Sequence, residues 1–304
     1  MSDDLTIILT AGLVATAAGL LGPFLVLRRV ALMSDAVSHA VLPGIVAVYL
    51  LFETRAPLPV IVGAAVFAVV CVIGIDLLRS TRLVASDAAI ALVFPALFAL
   101  GVLGVTEFAS GAHLDLDATI YGEIAFAPFD VWAFGSVEVA RSIVLLGAVV
   151  LANATLVALL WKELKATTFD PEFSRTIGIS PTLLSRLLLI AVAVTAVTAF
   201  ESVGAILVVT MLIVPAAAAY LLCDRLLAMI AVTLGIGWLS AVLGHTVALR
   251  ADASIAGSMG LVAACCFVLA LVLSPKYGLL ARALQRRRRR REVRAALAEA
   301  HAAR

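Results

Sequence analysis

Charge is scarce in this sequence. Only 14% of its 304 residues are Asp, Glu, Lys or Arg, against 63% hydrophobic. Soluble domains carry about a quarter charged residues, so a water-soluble globule is excluded. A mean hydropathy of +1.15 describes a polytopic membrane protein with one membrane domain. Lysine is nearly missing: Lys162, Lys165 and Lys276 are the only three, and none follows a glycine. A phosphate-binding loop needs the Gly-Lys pair of G-x-x-x-x-G-K-[ST], so the chain does not bind ATP by that route. The four cysteines, Cys71, Cys223, Cys265 and Cys266, form no C-x-x-C pair. They lie in or beside apolar runs, where a thiol behaves as a small hydrophobe. They read as buried structural thiols and give no support to a thiolate-bound soft metal. The start, MSDDL, is acidic where a cleavable signal is basic, so the first apolar run is expected to stay as a helix. The ~10-residue alternating pieces of a membrane β-barrel are absent, as are internal repeats and low-complexity linkers.

What is present is a series of apolar runs of about spanning length. They fall near 5–27, 30–52, 57–78, 86–106, 136–161, 183–200, 203–222, 226–249 and 254–274. The expected fold is therefore an all-α polytopic membrane protein of about 8–9 transmembrane helices. The seventh run is the least regular, because Gly204 and Pro215 interrupt it as in the broken helices that line transport paths. Basic residues concentrate on cytoplasmic loops. A cytoplasmic C-terminus puts Arg28, Arg29, Arg79, Arg82, Lys162, Lys165, Arg175, Arg186, Arg225 and the Arg282–Arg291 region inside, and leaves Arg55, Arg141 and Arg250 outside. The chain divides into a membrane domain, 1–275, and a basic cytoplasmic tail, 276–304. The tail holds six consecutive arginines, Arg286–Arg291, and reads as an anchor on anionic headgroups. Nucleic-acid binding is not expected of it.

Inside the second run, Asp35 and His39 stand four residues apart. An ionisable residue within a span costs about 2.5–3.5 kcal/mol on insertion scales and marks a path or a partner. Positions i and i+4 share a helix face. A carboxylate and an imidazole there form half of a site for Mn(II), Fe(II) or Zn(II), and suit Ca or Mg poorly. The plain alternative is an Asp–His pair that only locks helices together. Charge asymmetry puts the pair one to two turns or more in from the cytoplasmic end. His245 and Glu201 are weaker metal candidates: either a ligand or gate near the outer face, or a packing histidine and a helix-end acid. Asp76, close to Arg79, reads as an ion pair. Asp87 after Ser86 reads as a helix start. His113, Asp115 and Asp117 read as cation-attracting surface, with Asp117 as a helix N-cap.

The internal stretch 163–182 carries its own helix signals. Asp170 is an N-cap, Pro171 fits the first helical position and Glu172 the first turn. Gly178 closes the piece, and Ser180-Pro181 opens the next span. A short helix is expected there, with Phe169, Phe173 and Ile177 as an apolar face. The alternative is an ordinary loop with a helical turn.

The segment FDPEFSRTIGI, residues 169–179, resembles the coupling-helix segment of permease subunits of metal-ion ABC importers, the manganese/zinc/iron family. Further blocks agree in order: PFLVLRRVALMSDAVSHAVLPG (23–44), DAAIALVF (87–94), LDLDATIYGEI (114–124), VGAILVVTMLIVPAAAA (203–219) and GLVAACCFVLAL (260–271). The resemblance implies a type II ABC importer-like permease in the bacterial inner (plasma) membrane, multi-pass, that is not itself an enzyme. It implies a second permease subunit, the same chain or a different one, and a cytoplasmic ATP-binding cassette subunit docked through a coupling helix at about 169–178. Phe169, Asp170, Pro171, Glu172, Arg175 and Gly178 carry that coupling motif. An extracytoplasmic metal-binding protein would deliver the ion. The family places metal coordination at the positions of Asp35 and His39, as a weak transit site with no permanently bound cofactor. The wording of 114–130 resembles the manganese/iron branch more than the zinc branch; manganese is the first choice of substrate, with zinc or iron second. Two rival classes remain: a secondary transporter that uses Asp35 for proton coupling, and a docking subunit without a path.

Overall fold

The computed structural model describes residues 2–52, 56–108, 124–134, 137–274 and 278. Within them the chain forms twelve α-helices, one 3-10 turn and one short hairpin. The helices before the hairpin are α1 (Asp3–Leu27), α2 (Ala31–His39), α3 (Leu42–Phe52), α4 (Pro57–Ser80) and α5 (Ser86–Phe108). The 3-10 turn Ile124–Phe126 leads into β1 (Val131–Phe134) and β2 (Val137–Ala140). Then follow α6 (Arg141–Leu159), α7 (Trp161–Phe169), α8 (Pro171–Thr176), α9 (Pro181–Val203), α10 (Ala205–Leu222), α11 (Leu226–Ala251) and α12 (Ile255–Leu273). Among the described residues eight helices are long and apolar enough to cross a bilayer: α1, α4, α5, α6, α9, α10, α11 and α12. The sequence 276–304, taken as a tail, lies outside the described residues except for Gly278.

The second apolar run is where the structure departs from a row of simple spans. It is two helices, α2 and α3, with a break at Ala40-Val41. Pro43 is the cause. It has no N–H to give the carbonyl of His39, and its ring clashes with that carbonyl in a regular helix. Gly44 then bonds back to Val41 at 2.9 Å, one residue short of Ala40. The seventh run is interrupted at one of its two suspected points. Gly204, at φ 80°, separates α9 from α10, whereas Pro215 is accommodated inside α10.

The all-α expectation misses one element. Residues 137–140 do not begin a helix: β1 and β2 pair antiparallel, with Val131 opposite Ala140 and Phe134 opposite Val137. The pieces VWAF and VEVA are rich in the β-branched and aromatic residues that favour strands. Arg141 then donates its N–H to the Asp130 carbonyl at 2.8 Å, and α6 starts there.

α1 is the hub. It packs against α6, α9, α10 and α11, and α9 reaches from it to α2 and α4. Lipid tails are as apolar as leucine, so close packing and interhelical hydrogen bonds hold such a bundle. Asn153 of α6 donates to the Ala17 carbonyl of α1 at 3.1 Å and to Thr195 Oγ1 of α9 at 2.9 Å. Trp238 of α11 donates to Thr16 of α1 at 3.0 Å. On the other side α3 sits between α4 and α5. Gly44 backs onto Gly63 so closely that a methyl on either meets the backbone of the other. Asp76 pairs with Arg186 of α9 at 3.0 Å rather than with its sequence neighbour Arg79. The cysteines are less buried than expected: Cys71 is buried, Cys223 and Cys266 are half-buried and Cys265 is exposed.

Candidate functional site

Asp35 and His39 both lie on α2, four residues apart, immediately before the Pro43 break. The helices packed on α2 are α1, α4, α5 and α9. His39 is half-buried in a setting of phenyl rings. Its imidazole centroid is 5.8 Å from that of Phe94 and 6.3 Å from that of Phe98, both on α5, and 6.3 Å from that of Phe200 on α9. The Phe98 contact is edge-on, at 88°. Edge-on and tilted pairs suit the ring quadrupoles, with a charge-poor edge facing a charge-rich face. The rings hold the imidazole in an apolar surround on three sides.

The contact with Phe200 sets the depth of the site. α9 begins beside Arg28, which bonds to Ser185 at 2.8 Å. From Ser185 to Phe200 is fifteen residues (200 − 185), about 22 Å at 1.5 Å per residue. His39 thus packs near the far end of α9 from Arg28, in keeping with a position one to two turns or more in from the cytoplasmic end. Glu201 follows Phe200 in the last turn of α9, so the backbone brings that position to the same level as His39.

His245 stands apart. Its ring is 3% exposed and its Nε2 lies 2.9 Å from Asp4 Oδ1, while Nδ1 is buried and has no hydrogen-bond partner among the described residues. This joins α11 to the first turn of α1. α11 packs on α1, α10 and α12, so the structure groups His245 with Asp4 and not with α2. Among the described residues no three His, Cys, Asp or Glu side chains gather into a metal cluster. The segment His113, Asp115 and Asp117 lies outside the described residues.

The second constellation is α8. The Asp170 carboxylate accepts from the Phe173 N–H at 2.9 Å, Pro171 occupies the first helical position, Glu172 sits in the first turn and Arg175 in the last. Gly178 takes φ 83°, a left-handed conformation open to glycine at little cost. The Ile179 N–H then reaches back to the Ser174 carbonyl at 2.9 Å. Every local signal read from the sequence is realised. Phe169, Phe173 and Ile177 are 58%, 56% and 53% exposed. Three large apolar side chains around one short, capped helix form a protruding patch of the kind that partners cover.

The phenylalanines around His39 are the residues that the sequence alone did not reveal. They come from α5 and α9, and nothing local to Phe94, Phe98 or Phe200 points at α2.

Over residues 5–274 the chain matches the model of the ABC 3 transport family. It is 42% identical over 278 residues to the zinc transport system membrane protein TroD of Treponema pallidum, covering 91% of this chain and 76% of that protein. It is 39% identical over 286 residues to the manganese transport system membrane protein MntD of Bacillus subtilis, covering 94% and 97%. Among solved structures, a chain of PsaBC from Streptococcus pneumoniae in complex with Fab superposes with a TM-score of 0.78 at 29% identity, covering 94% of this chain and 96% of that one. An inward-facing putative metal-chelate type ABC transporter shares the fold, with a TM-score of 0.60 at 18% identity over 88% and 84%.

Proposed function

The chain belongs to the ABC 3 transport family, and from that membership we propose that it is the membrane-spanning permease subunit of an ATP-driven importer of a divalent transition metal ion, first Mn(II). It sits in the bacterial inner membrane with its C-terminus in the cytoplasm. The observation that carries the reading is α2: a carboxylate position and an imidazole four residues apart, set deep between spans and next to a helix break. Broken helices near the bilayer midplane are where transporters build ion sites. Asp35 and His39 supply one oxygen and one nitrogen donor. A transit site has to bind weakly enough to release, and a second copy of the chain, meeting this one near the same axis, would complete the shell. Glu201, level with His39 at the end of α9, is the next candidate donor; His245 is the weakest, since Asp4 already engages it.

The energy comes from another subunit. The exposed Phe169, Phe173 and Ile177 of the α8 region dock into a cytoplasmic ATPase, with Asp170, Pro171, Glu172, Arg175 and Gly178 shaping the knob. An extracytoplasmic binding protein hands over the ion. Manganese is named in several of the relatives and suits an O/N donor set. Zinc is the second reading, favoured by the 42% identity to TroD; iron has the same donor chemistry in its support. The metal is substrate in each case.

The test is metal-stimulated ATPase activity of the assembled complex with Mn, Zn and Fe in turn, in wild type and Asp35→Ala. Stimulation greatest with Mn and lost in Asp35→Ala is the expected result. Equal stimulation in both proteins removes α2 from the path, and stimulation by Zn alone reassigns the substrate.

A further inference from the structure

Arg28 follows the last residue of α1 and is drawn in among three helices. Its Nε donates to Thr168 Oγ1 at 3.0 Å, one terminal nitrogen to Ser185 Oγ at 2.8 Å, and the other to Thr167 Oγ1 at 2.7 Å and to the Leu164 carbonyl at 3.4 Å. All four acceptors are neutral. Burial pulls the guanidinium below its usual value, but arginine keeps its charge in proteins. Among the described residues this partly buried cation is held by hydroxyls and a carbonyl, a costly arrangement, so the geometry it enforces calls for an explanation.

The two threonines are prepared as acceptors. Thr167 donates its hydroxyl proton to the Glu163 carbonyl at 2.7 Å and Thr168 donates its own to the Leu164 carbonyl at 2.6 Å. Their lone pairs are left facing Arg28. The planar fork of a guanidinium can meet α7 and α9 at once, where a lysine ammonium is a point charge on a flexible stem.

The placement is mechanical. Thr168 precedes by two residues Asp170, the N-cap of α8, so Arg28 grips the root of the exposed knob. Ser185 lies near the start of α9, and the next residue, Arg186, pairs with Asp76 of α4 at 3.0 Å. The far end of α9 carries Phe200 against His39. On its other side α8 joins α9 through Ile177–Ser180, which includes Gly178 at φ 83°. That link alone leaves the knob able to pivot. We propose that Arg28 is a positioning residue that locks the α7–α8 knob to α1 and α9, so that displacement of the knob by its partner is delivered to the helix that touches His39.

The proposal rests on the reading of α8 as the ATPase contact. Its test measures ATP hydrolysis and metal import in the same proteoliposomes with the complete complex, comparing wild type with Arg28→Met, Arg28→Lys and Ser185→Ala. Arg28→Met keeps the apolar stem and removes every donor. The expected result is an assembled complex whose ATP hydrolysis is largely kept while metal moved per ATP falls by at least about fivefold, the low end of a typical coupling between sites. Arg28→Lys should fall between Met and wild type. Metal moved per ATP that stays constant, with both rates unchanged or reduced in parallel, overturns the latch. If Arg28→Met does not assemble, Ser185→Ala, which removes only the α9 arm, decides by the same ratio. A wild-type chain that binds no ATPase refutes the underlying reading; a wild type that couples beside an Arg28→Met complex that couples equally refutes the latch alone.

Discussion

His39 owes its setting to Phe94, Phe98 and Phe200, and these rings divide the work unequally. Phe200 is 6% exposed, whereas Phe94 and Phe98 are half-buried. Truncating a buried phenylalanine costs about 3–5 kcal/mol. Phe200→Ala should therefore lower the thermal melting temperature of the purified protein clearly more than Phe94→Ala; equal shifts would show that Phe200 is not part of the packed core around α2. The positions of Asp35 and His39 stood out in the sequence as candidates, because charge inside an apolar run is conspicuous against its neighbours. The rings did not, since an aromatic residue in an apolar span is ordinary until packing shows what it faces. Losing a donor at Asp35 or His39 should reduce import by more than about tenfold, as even outer-shell changes at metal sites cost 10–100-fold, while both variants still purify with the ATPase. Import within a few-fold of wild type in either variant would make the pair structural.

At the scale of elements, local chemistry explains what was readable. Asp170, Pro171 and Gly178 mark the two ends of α8 by local chemistry, and each signal acts within one turn. Asp170→Ala removes the cap to Phe173, a loss of about 1 kcal/mol. Reduced co-purification of the ATPase is the expected consequence, and undiminished co-purification would show that the knob does not need its cap. The break between α2 and α3 is different. Pro43 was visible, yet one proline barely lowers the mean hydropathy of a run this long, so residues 30–52 read as one span. Pro43→Ala restores a donor to the His39 carbonyl and removes a clash worth about 3 kcal/mol in a helix interior. Import should fall while assembly persists. An unaffected rate would separate the break from the path. The β1–β2 hairpin escaped because its strands are four residues each, too short for a periodic signal beside the long run that follows.

For the whole molecule, run length and hydropathy announced the spans. Which helix is central was not available, because α1 is no more apolar than α10 or α12. What marks it is a row of small residues, of which Gly22 lets α10 approach until a Cβ would strike the Leu212 carbonyl. Gly44→Leu, by the same logic, should prevent α3 from closing on α4, giving a protein that fails to assemble, measured as loss of a monodisperse peak in detergent; a well-behaved Gly44→Leu protein would contradict the close packing against Gly63. The bundle then has two working ends in one rod: α9 meets the Arg28 clamp at its start and His39 near its finish. A chain built this way needs a partner to move it. The most direct measurement is ATP-dependent uptake of Mn(II) into proteoliposomes by this chain alone, by the complete complex and by the Asp35→Ala complex. The account predicts uptake by the complete complex only. Uptake by the chain without an ATPase, or undiminished uptake by the Asp35→Ala complex, would contradict it.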